Sequence, residues 1–155
     1  MKLTTKARYG LRAVIDLAGH TDEVVALSQI ADRQGISMSY LEQLIAKLRK
    51  AKIVIGIRGA QGGYKLARPA EEISIGDILR ALEGDLYPVD CFELDGVSEC
   101  INPDTCVTKY VWKRISDSIN DVVDGIMLSE LVSESKKVNI ELDSEAKIGK
   151  NKAKC

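Results

Sequence analysis

The amino-acid sequence predicts a mainly α-helical protein with one small β-hairpin. Three amphipathic helical patterns follow one another within residues 1–50, and a β-branched hairpin pattern comes directly after them. A longer amphipathic pattern begins near residue 103. Because three helices followed by a hairpin is the order of elements in a winged helix-turn-helix domain, we expect that domain plus one long dimerisation helix.

The first two helices are predicted from apolar spacing and from capping residues at their ends. The apolar stripe of the first helix recurs every three or four positions and consists of Leu3, Ala7, Leu11, Val14 and Ala18. Thr4 or Thr5 can cap this helix. Ser28 is a suitable N-cap for a short second helix, which we expect to end at Gly35.

The third helix is predicted to begin near Ser37 or Ser39. Ser39 and Glu42 have the spacing of a capping box. The apolar stripe of this helix consists of Leu41, Leu44, Ile45 and Leu48. Because residues 35–37 form a tight link between two short helices, we expect a helix-turn-helix with the third helix as its recognition helix.

The β-hairpin is predicted from an apolar, β-branched run at residues 53–58 and a second, alternating run at residues 64–66. The glycine-rich residues 59–63 between them can only form a turn, because glycine tolerates positive φ. After the hairpin, Ser74 is expected to cap a fourth helix that ends at Gly84.

A long amphipathic helix is predicted from about Pro103 to about Ser129. Its apolar stripe consists of Val107, Val111, Ile115, Ile119, Val122 and Ile126. Because the core of residues 1–82 already looks closed, we expect this stripe to pack against a second copy of the chain. Packing on its own domain is the alternative. The polar, aperiodic sequence from Ser133 onward predicts a disordered tail.

Charge is divided unevenly along the chain. Residues 1–68 carry 12 Lys+Arg and 5 Asp+Glu, a net charge of +7. Residues 69–155 carry 10 and 18, a net charge of −8. A basic front half on a nearly neutral protein favours a polyanionic partner for that half. Two solvated faces of opposite sign are the alternative explanation.

The composition argues against several functional classes. No apolar run reaches the length of about 18 residues that a membrane span requires. The first residues contain no apolar segment typical of a secretory signal. No nucleophile–base pair is visible, and the glycine-rich turn lies between strands rather than before a helix. We therefore expect a cytoplasmic protein that is not an enzyme, without a membrane partner or a small-molecule substrate.

Double-stranded DNA is the polyanion that this arrangement of elements fits. A recognition helix inserts its N-terminal residues into the major groove, and here these include Ser39, Tyr40 and Gln43. Arg58 lies at the tip of the hairpin, where a slim glycine turn can enter a minor groove. A carboxylate near phosphates is repulsive, so Glu42 either caps the helix away from DNA or discriminates between binding sites.

Three cysteines form the second candidate site. Cys91, Cys100 and Cys106 are separated by eight and five residues and lie in an irregular stretch. Iron–sulfur clusters require thiolate ligands, usually four of them. Zinc and a thiol switch are the alternatives, although structural zinc sites favour closely spaced pairs that this chain lacks. His20 is better explained as a cap or surface residue, and Cys155 as a free thiol.

Four stretches of the sequence together carry a family resemblance. They are MKLTTKARYGLRA at the start, SMSYLEQLIAKLRKA in the third helix, IRGAQGGYKLARP in the hairpin and ISIGDILRALEG after it. With them, residues 1 to about 132 resemble the IscR-type iron–sulfur cluster regulators. The resemblance implies a homodimeric winged helix-turn-helix repressor that binds DNA and controls iron–sulfur assembly genes or related stress genes.

The resemblance also implies roles for individual residues. Ser39, Tyr40 and Gln43 would contact DNA from the recognition helix. Arg58 would do so from the wing, and Glu42 would tune the choice of site. The three cysteines would hold a cluster, most often 2Fe–2S.

One position departs from the family pattern. The family places a histidine three residues after the third cysteine as the fourth ligand, and this chain has Lys109 there. Some relatives take that ligand from the partner's first helix, where Arg8 and Arg12 cannot serve. Solvent, a small thiol or an acid of the loop remains, and we favour Asp104. The acids of this stretch are Glu93, Asp95, Glu99 and Asp104. A 4Fe–4S cluster also stays open.

The sequence thus divides into four predicted parts. They are a winged helix-turn-helix domain at residues 1–84, a cysteine-containing cluster-binding loop at 85–104, a dimerisation helix at 105–132 and a disordered tail at 133–155. The alternative function is a winged-helix regulator that responds to thiol oxidation, zinc or a partner protein without a cluster.

Overall fold

The computed structural model describes residues 3–89 and 105–152, with side chains up to residue 142. Its elements are α1 (Thr5–Ala18), α2 (Leu27–Gln34), α3 (Met38–Lys50), β1 (Val54–Ile57), β2 (Gly63–Leu66), a 3₁₀ turn (Ala70–Glu72), α4 (Ile75–Glu83), α5 (Thr108–Gly125) and α6 (Leu128–Lys152). Three helices followed by an antiparallel hairpin confirm the predicted winged helix-turn-helix fold.

Capping explains where α1 and α2 begin, and it corrects one prediction. The Thr4 hydroxyl accepts a hydrogen bond from the Lys6 amide at 3.1 Å, as expected of the first N-cap. Ser28 is not the N-cap of α2, because the helix begins at Leu27 and its N-cap is Ala26, two residues before Ser28. The Gln29 side chain accepts from the Ala26 amide at 3.1 Å and supplies the cap instead.

The turn between α2 and α3 forms as predicted, and of the two predicted starts of α3, Ser37 and Ser39, the structure selects Ser37. Gly35 ends α2 in the left-handed region at φ 63°, which glycine adopts without the steric penalty of a side chain. Ser37 is the N-cap of α3, and its hydroxyl accepts from the Tyr40 amide. The proposed capping box of Ser39 and Glu42 is therefore wrong, and neither side chain is needed for capping.

The hairpin is attached firmly to the rest of the domain. β1 and β2 pair from Val54↔Leu66 to Ile57↔Gly63. Val25 adds one further antiparallel bridge to Tyr64, with backbone N–O distances of 2.9 and 2.8 Å. Gly63 lies so close to the Val25 carbonyl that a Cβ there would collide with backbone. The wing is therefore held in a fixed orientation relative to the α1–α2 link.

The C-terminal part of the chain differs from the prediction. The helix predicted from Pro103 to Ser129 is two helices, because Ile126 leaves the helical region at φ −97° and ψ 120°. The break allows the Leu128 amide to donate to the Ile73 carbonyl at 2.8 Å. The prediction of a disordered tail from Ser133 onward is wrong as far as Lys152, because α6 continues to that residue. Pro103 itself lies outside the described residues.

α6 also completes the hydrophobic core, which we expected residues 1–82 to close alone. Leu128 is fully buried and Val132 is 9% exposed, and both belong to the same cluster as the helices of the N-terminal domain. The other large, fully buried side chains include Leu17, Ile30, Leu41, Leu48, Ile53, Ile73 and Ile78. Beyond these two residues near the helix start, residues 136–142 of α6 are exposed.

Candidate nucleic-acid interface and cysteine site

α3 has one face in the core and one face in solvent. Its buried residues are Leu41, Leu44, Ile45 and Leu48. On the opposite side, Ser39, Gln43, Ala46 and Lys50 are all exposed and are spaced by four, three and four residues. Because this spacing aligns side chains on one helix face, these four positions form a continuous outward row, hereafter the outward face. The outward face is polar, ends in a cationic side chain at Lys50 and has only a small side chain at Ala46.

Tyr40 lies beside that face and is held by an aromatic contact that the sequence did not indicate. Its ring meets the ring of Tyr9 edge to face, with centroids 6.2 Å apart and planes at 88°. The Arg12 guanidinium lies 5.5 Å from the centroid of the Tyr9 ring. Tyr9 therefore fixes the start of α3 against α1. Its position one helical turn before Arg12 was the only signal in the sequence.

A buried acid ties α1 to the helix-turn-helix. The Asp16 side chain is only 5% exposed. It accepts hydrogen bonds from Arg33 Nε at 3.0 Å and from Gln34 Nε2 at 2.8 Å. Burial raises the pKa of Asp16, but the bonds from Arg33 and Gln34 and the charges of Arg33 and His20 outweigh it. The pKa is therefore lowered below its ordinary value of 3.8.

We expect the free energy of unfolding to depend on pH through Asp16. Because its pKa is lower in the folded state, the stabilisation is complete above about pH 4 and is lost as pH falls through the folded pKa. Asp16→Asn should cost about 1–3 kcal/mol at pH 7. Urea unfolding between pH 7 and pH 2.5 measures this, and the difference from wild type should shrink in acid. Exposed Asp22→Asn is the control, and identical pH profiles for both variants would contradict the assignment.

Glu42 and Arg58 are both solvent-exposed. Within the described part of the chain neither makes a hydrogen bond or ion pair, so both are available to a ligand. Arg58 directly precedes Gly59, whose φ of 127° lets the wing turn sharply. The alternative in which Glu42 caps α3 is wrong, because Ser37 is the cap.

Cys106 is the one predicted metal ligand within the described residues. It precedes α5, and its sulfur lies 3.1 Å from the Thr108 hydroxyl. Hydrogen bonds from the Thr108 side chain and the Lys109 amide lower the pKa of the thiol, and the Lys109 charge adds to them. Cys91, Cys100 and the four loop acids lie outside the described residues. The described part of the chain contains no cluster of three potential metal ligands.

α5 exposes an apolar row along most of its length. Val107, the N-cap residue, is 84% exposed, Val111 is 52% and Val122 is 62% exposed, and Ile115 lies between the last two at 38%. The other side of α5 packs against α4, where Arg80 donates to Asn120 Oδ1 at 2.8 Å. The predicted stripe therefore exists, and only its Ile119 and Ile126 members are partly covered within the chain. Among the described residues, no helix contains an apolar segment of the length that a membrane span requires.

Comparison with known proteins gives consistent matches. Residues 3–134 match the family Rrf2, described as an iron-dependent transcriptional regulator. The HTH-type transcriptional regulator IscR of Pectobacterium atrosepticum is 41% identical over 141 residues, covering 90% of this chain and 84% of that protein.

Two solved structures share the fold. T. potens IscR superimposes with a TM-score of 0.72 at 44% identity, over 89% of this chain and 90% of that one. CymR, the global cysteine regulator of B. subtilis, has a TM-score of 0.72 at 38% identity, over 86% and 98% of the two chains. This chain belongs to the Rrf2 family and is a winged helix-turn-helix transcriptional regulator, not an enzyme.

Proposed function

We propose that the protein is a cytoplasmic homodimer that reads double-stranded DNA with the outward face of α3. The observation that carries this proposal is the exposed row of Ser39, Gln43 and Lys50 opposite a fully buried face. Hydroxyl and amide groups can hydrogen-bond base edges or phosphates in the major groove. Tyr40 adds a contact from the side of the row, where Tyr9 fixes its ring.

Arg58 and Glu42 provide the remaining contacts in this proposal. Arg58 follows β1 at the wing tip and would enter the neighbouring minor groove, where negative potential attracts a guanidinium. Glu42 lies beside the outward face. From there its carboxylate would accept a hydrogen bond from a cytosine amino group in the groove and disfavour binding sites that lack such a donor. Its exposed carboxylate without an internal partner supports a role in site selection.

Dimerisation follows from the apolar row of α5. The exposed valine and isoleucine side chains extend from residue 107 to residue 122, about 22 Å along the helix axis, and such a row is unfavourable in water. A second α5 would cover it by helix-to-helix packing. Two chains would then present two recognition helices to one near-palindromic operator.

The proposed sensor is an iron–sulfur cluster held by Cys91, Cys100 and Cys106. The hydrogen bonds that lower the pKa of Cys106 favour the thiolate, the form that ligates iron. A bound cluster would supply a redox-sensitive, labile link between these cysteines. We propose a 2Fe–2S cluster whose fourth ligand is an acid of the loop, with Asp104 as the first candidate. The family histidine cannot serve, because its position is occupied by Lys109, which is exposed and cationic. The holo form would repress iron–sulfur assembly genes.

A thiol-based regulator without a cluster is the second candidate. An acidified, half-buried thiol at Cys106 is also the chemistry that oxidation requires. The likeness to CymR, which is named as a cysteine regulator and not by an iron–sulfur cluster, keeps this candidate beside the first.

Arg58→Ala tests the DNA-binding proposal. We expect affinity for an operator to fall on the order of 10- to 100-fold, because a groove contact is lost. The measurement is fluorescence anisotropy with a duplex that wild-type protein has selected from a random library. Lys136→Ala, an exposed cation on α6, is the charge-matched control and should bind as wild type does. Equal affinity of Arg58→Ala and wild type would contradict the wing contact.

A further inference from the structure

The C-terminal end of α4 holds two other helices at once. Lys47 of α3 donates from its Nζ to the Leu82 carbonyl at 3.0 Å. The carboxylate of the next residue, Glu83, accepts from the Thr4 amide at 3.0 Å and the Ala7 amide at 3.1 Å. The last carbonyls of a helix lack intrahelical partners and carry partial negative charge, so an ammonium there is stabilising.

Lys47 is not on the outward face of α3. That face runs through Ser39, Gln43 and Lys50, and Lys47 falls to one side of it, on the side of Tyr40. Lys50, by contrast, lies on the face and has no hydrogen bond or ion pair within the described residues. The two lysines are therefore alike in chemistry and helix but differ in what they contact.

α4 also connects to the helix that carries the cysteine site. Arg80 donates to Asn120 Oδ1 at 2.8 Å and also pairs with Asp124, both on α5. Asn120 in turn donates to the Ser116 carbonyl at 2.9 Å. A continuous set of described contacts thus runs from α5, which begins just after Cys106, through α4 to Lys47.

We propose that Lys47 is a positioning residue, which sets the placement of the recognition helix through α4 instead of binding a phosphate. A shift of α5 relative to α4 would move the Leu82 carbonyl, and Lys47 would carry that displacement to α3. DNA affinity would then depend on the state of the cysteine site through this lysine. The coupling rests on the proposed sensor function, whereas the contact with α4 does not.

The test compares full-length Lys47→Met with Lys50→Met as the matched control. Affinity for the library-selected duplex is measured by anisotropy over a range of potassium chloride, for cluster-loaded and for metal-free reduced protein. The slope of log K against log salt is negative, and loss of a phosphate contact makes it shallower by about 0.9 for each contact removed. We expect that reduction for Lys50→Met and a wild-type slope for Lys47→Met.

The second readout is the ratio of affinities in the two cysteine states. We expect this ratio to approach one in Lys47→Met, to keep its wild-type value in Lys50→Met, and to be restored in Lys47→Arg, which can still reach the carbonyl. The proposal would be overturned if Lys47→Met had a shallower salt dependence and an unchanged affinity ratio. It would also be overturned if neither the salt dependence nor the affinity ratio changed. If wild type itself shows a ratio of one, the sensor function fails and the coupling fails with it.

Discussion

Replacing Ile115 and Val122 together by aspartate is expected to make the protein monomeric and to reduce operator affinity by about 100-fold or more. Both side chains are exposed on the apolar row of α5, so the change should leave the fold of one chain intact. Two carboxylates buried without partners in a helix-to-helix interface would be unfavourable, because the effective desolvation penalty in proteins is several kcal/mol for each ion. A single recognition helix then loses the advantage of simultaneous binding to two half-sites.

Sedimentation equilibrium gives the association state, and anisotropy gives the affinity. The control adds the same charge elsewhere, with Thr21→Asp and Asn139→Asp at exposed positions outside α5. We expect the control to remain dimeric. A dimeric Ile115/Val122 variant would show that α5 does not form the interface, and a monomeric variant with full affinity would show that binding needs one chain only.

Cys106→Ser is expected to abolish iron binding. A serine hydroxyl stays protonated and is a hard ligand, so it replaces a thiolate poorly at an iron–sulfur centre. After anaerobic reconstitution, wild type should be coloured and contain about two irons per chain for a 2Fe–2S cluster, whereas the variant should be colourless and contain almost none. Iron and sulfide analysis together with visible absorbance makes this measurement.

Cys155→Ser is the control for that experiment, because we interpret Cys155 as an unrelated free thiol. It should load iron as wild type does. Colourless wild-type protein that contains zinc or no metal would contradict the cluster. In that case, peroxide treatment separates the remaining alternatives, since a thiol switch predicts a change in DNA affinity that requires Cys106.

The helices and the wing could be predicted because their signals are local. Apolar spacing in α1 and α3, Gly35 in the turn and the glycine-rich tip of the hairpin each specify a backbone conformation directly. The caps at Ser28 and Ser39 were predicted wrongly because several residues that can cap lie near each helix start, and local spacing does not choose between them. α6 was missed because its amphipathic pattern is weak: up to residue 142, where side chains are described, its buried residues are Leu128 and Val132.

The candidate site was predictable only in part for a related reason. The exposed positions on α3 follow from helical periodicity once the buried stripe is known. The contacts of Tyr9, Asp16 and Lys47 join residues far apart in the chain, between 17 and 35 positions, and no local pattern specifies them. No local feature of the sequence distinguishes Lys47 from Lys50, and only the fold shows that the ammonium of Lys47 is bound to α4.

Hydroxyl-radical footprinting of the dimer on its selected duplex tests the central claim most directly. Two winged helix-turn-helix domains joined by α5 predict two protected half-sites related by two-fold symmetry, with centres separated by a whole number of helical turns of about 10.5 base pairs. One unbroken, asymmetric protected block would contradict the paired reading of DNA by two α3 helices, as would no protection at all.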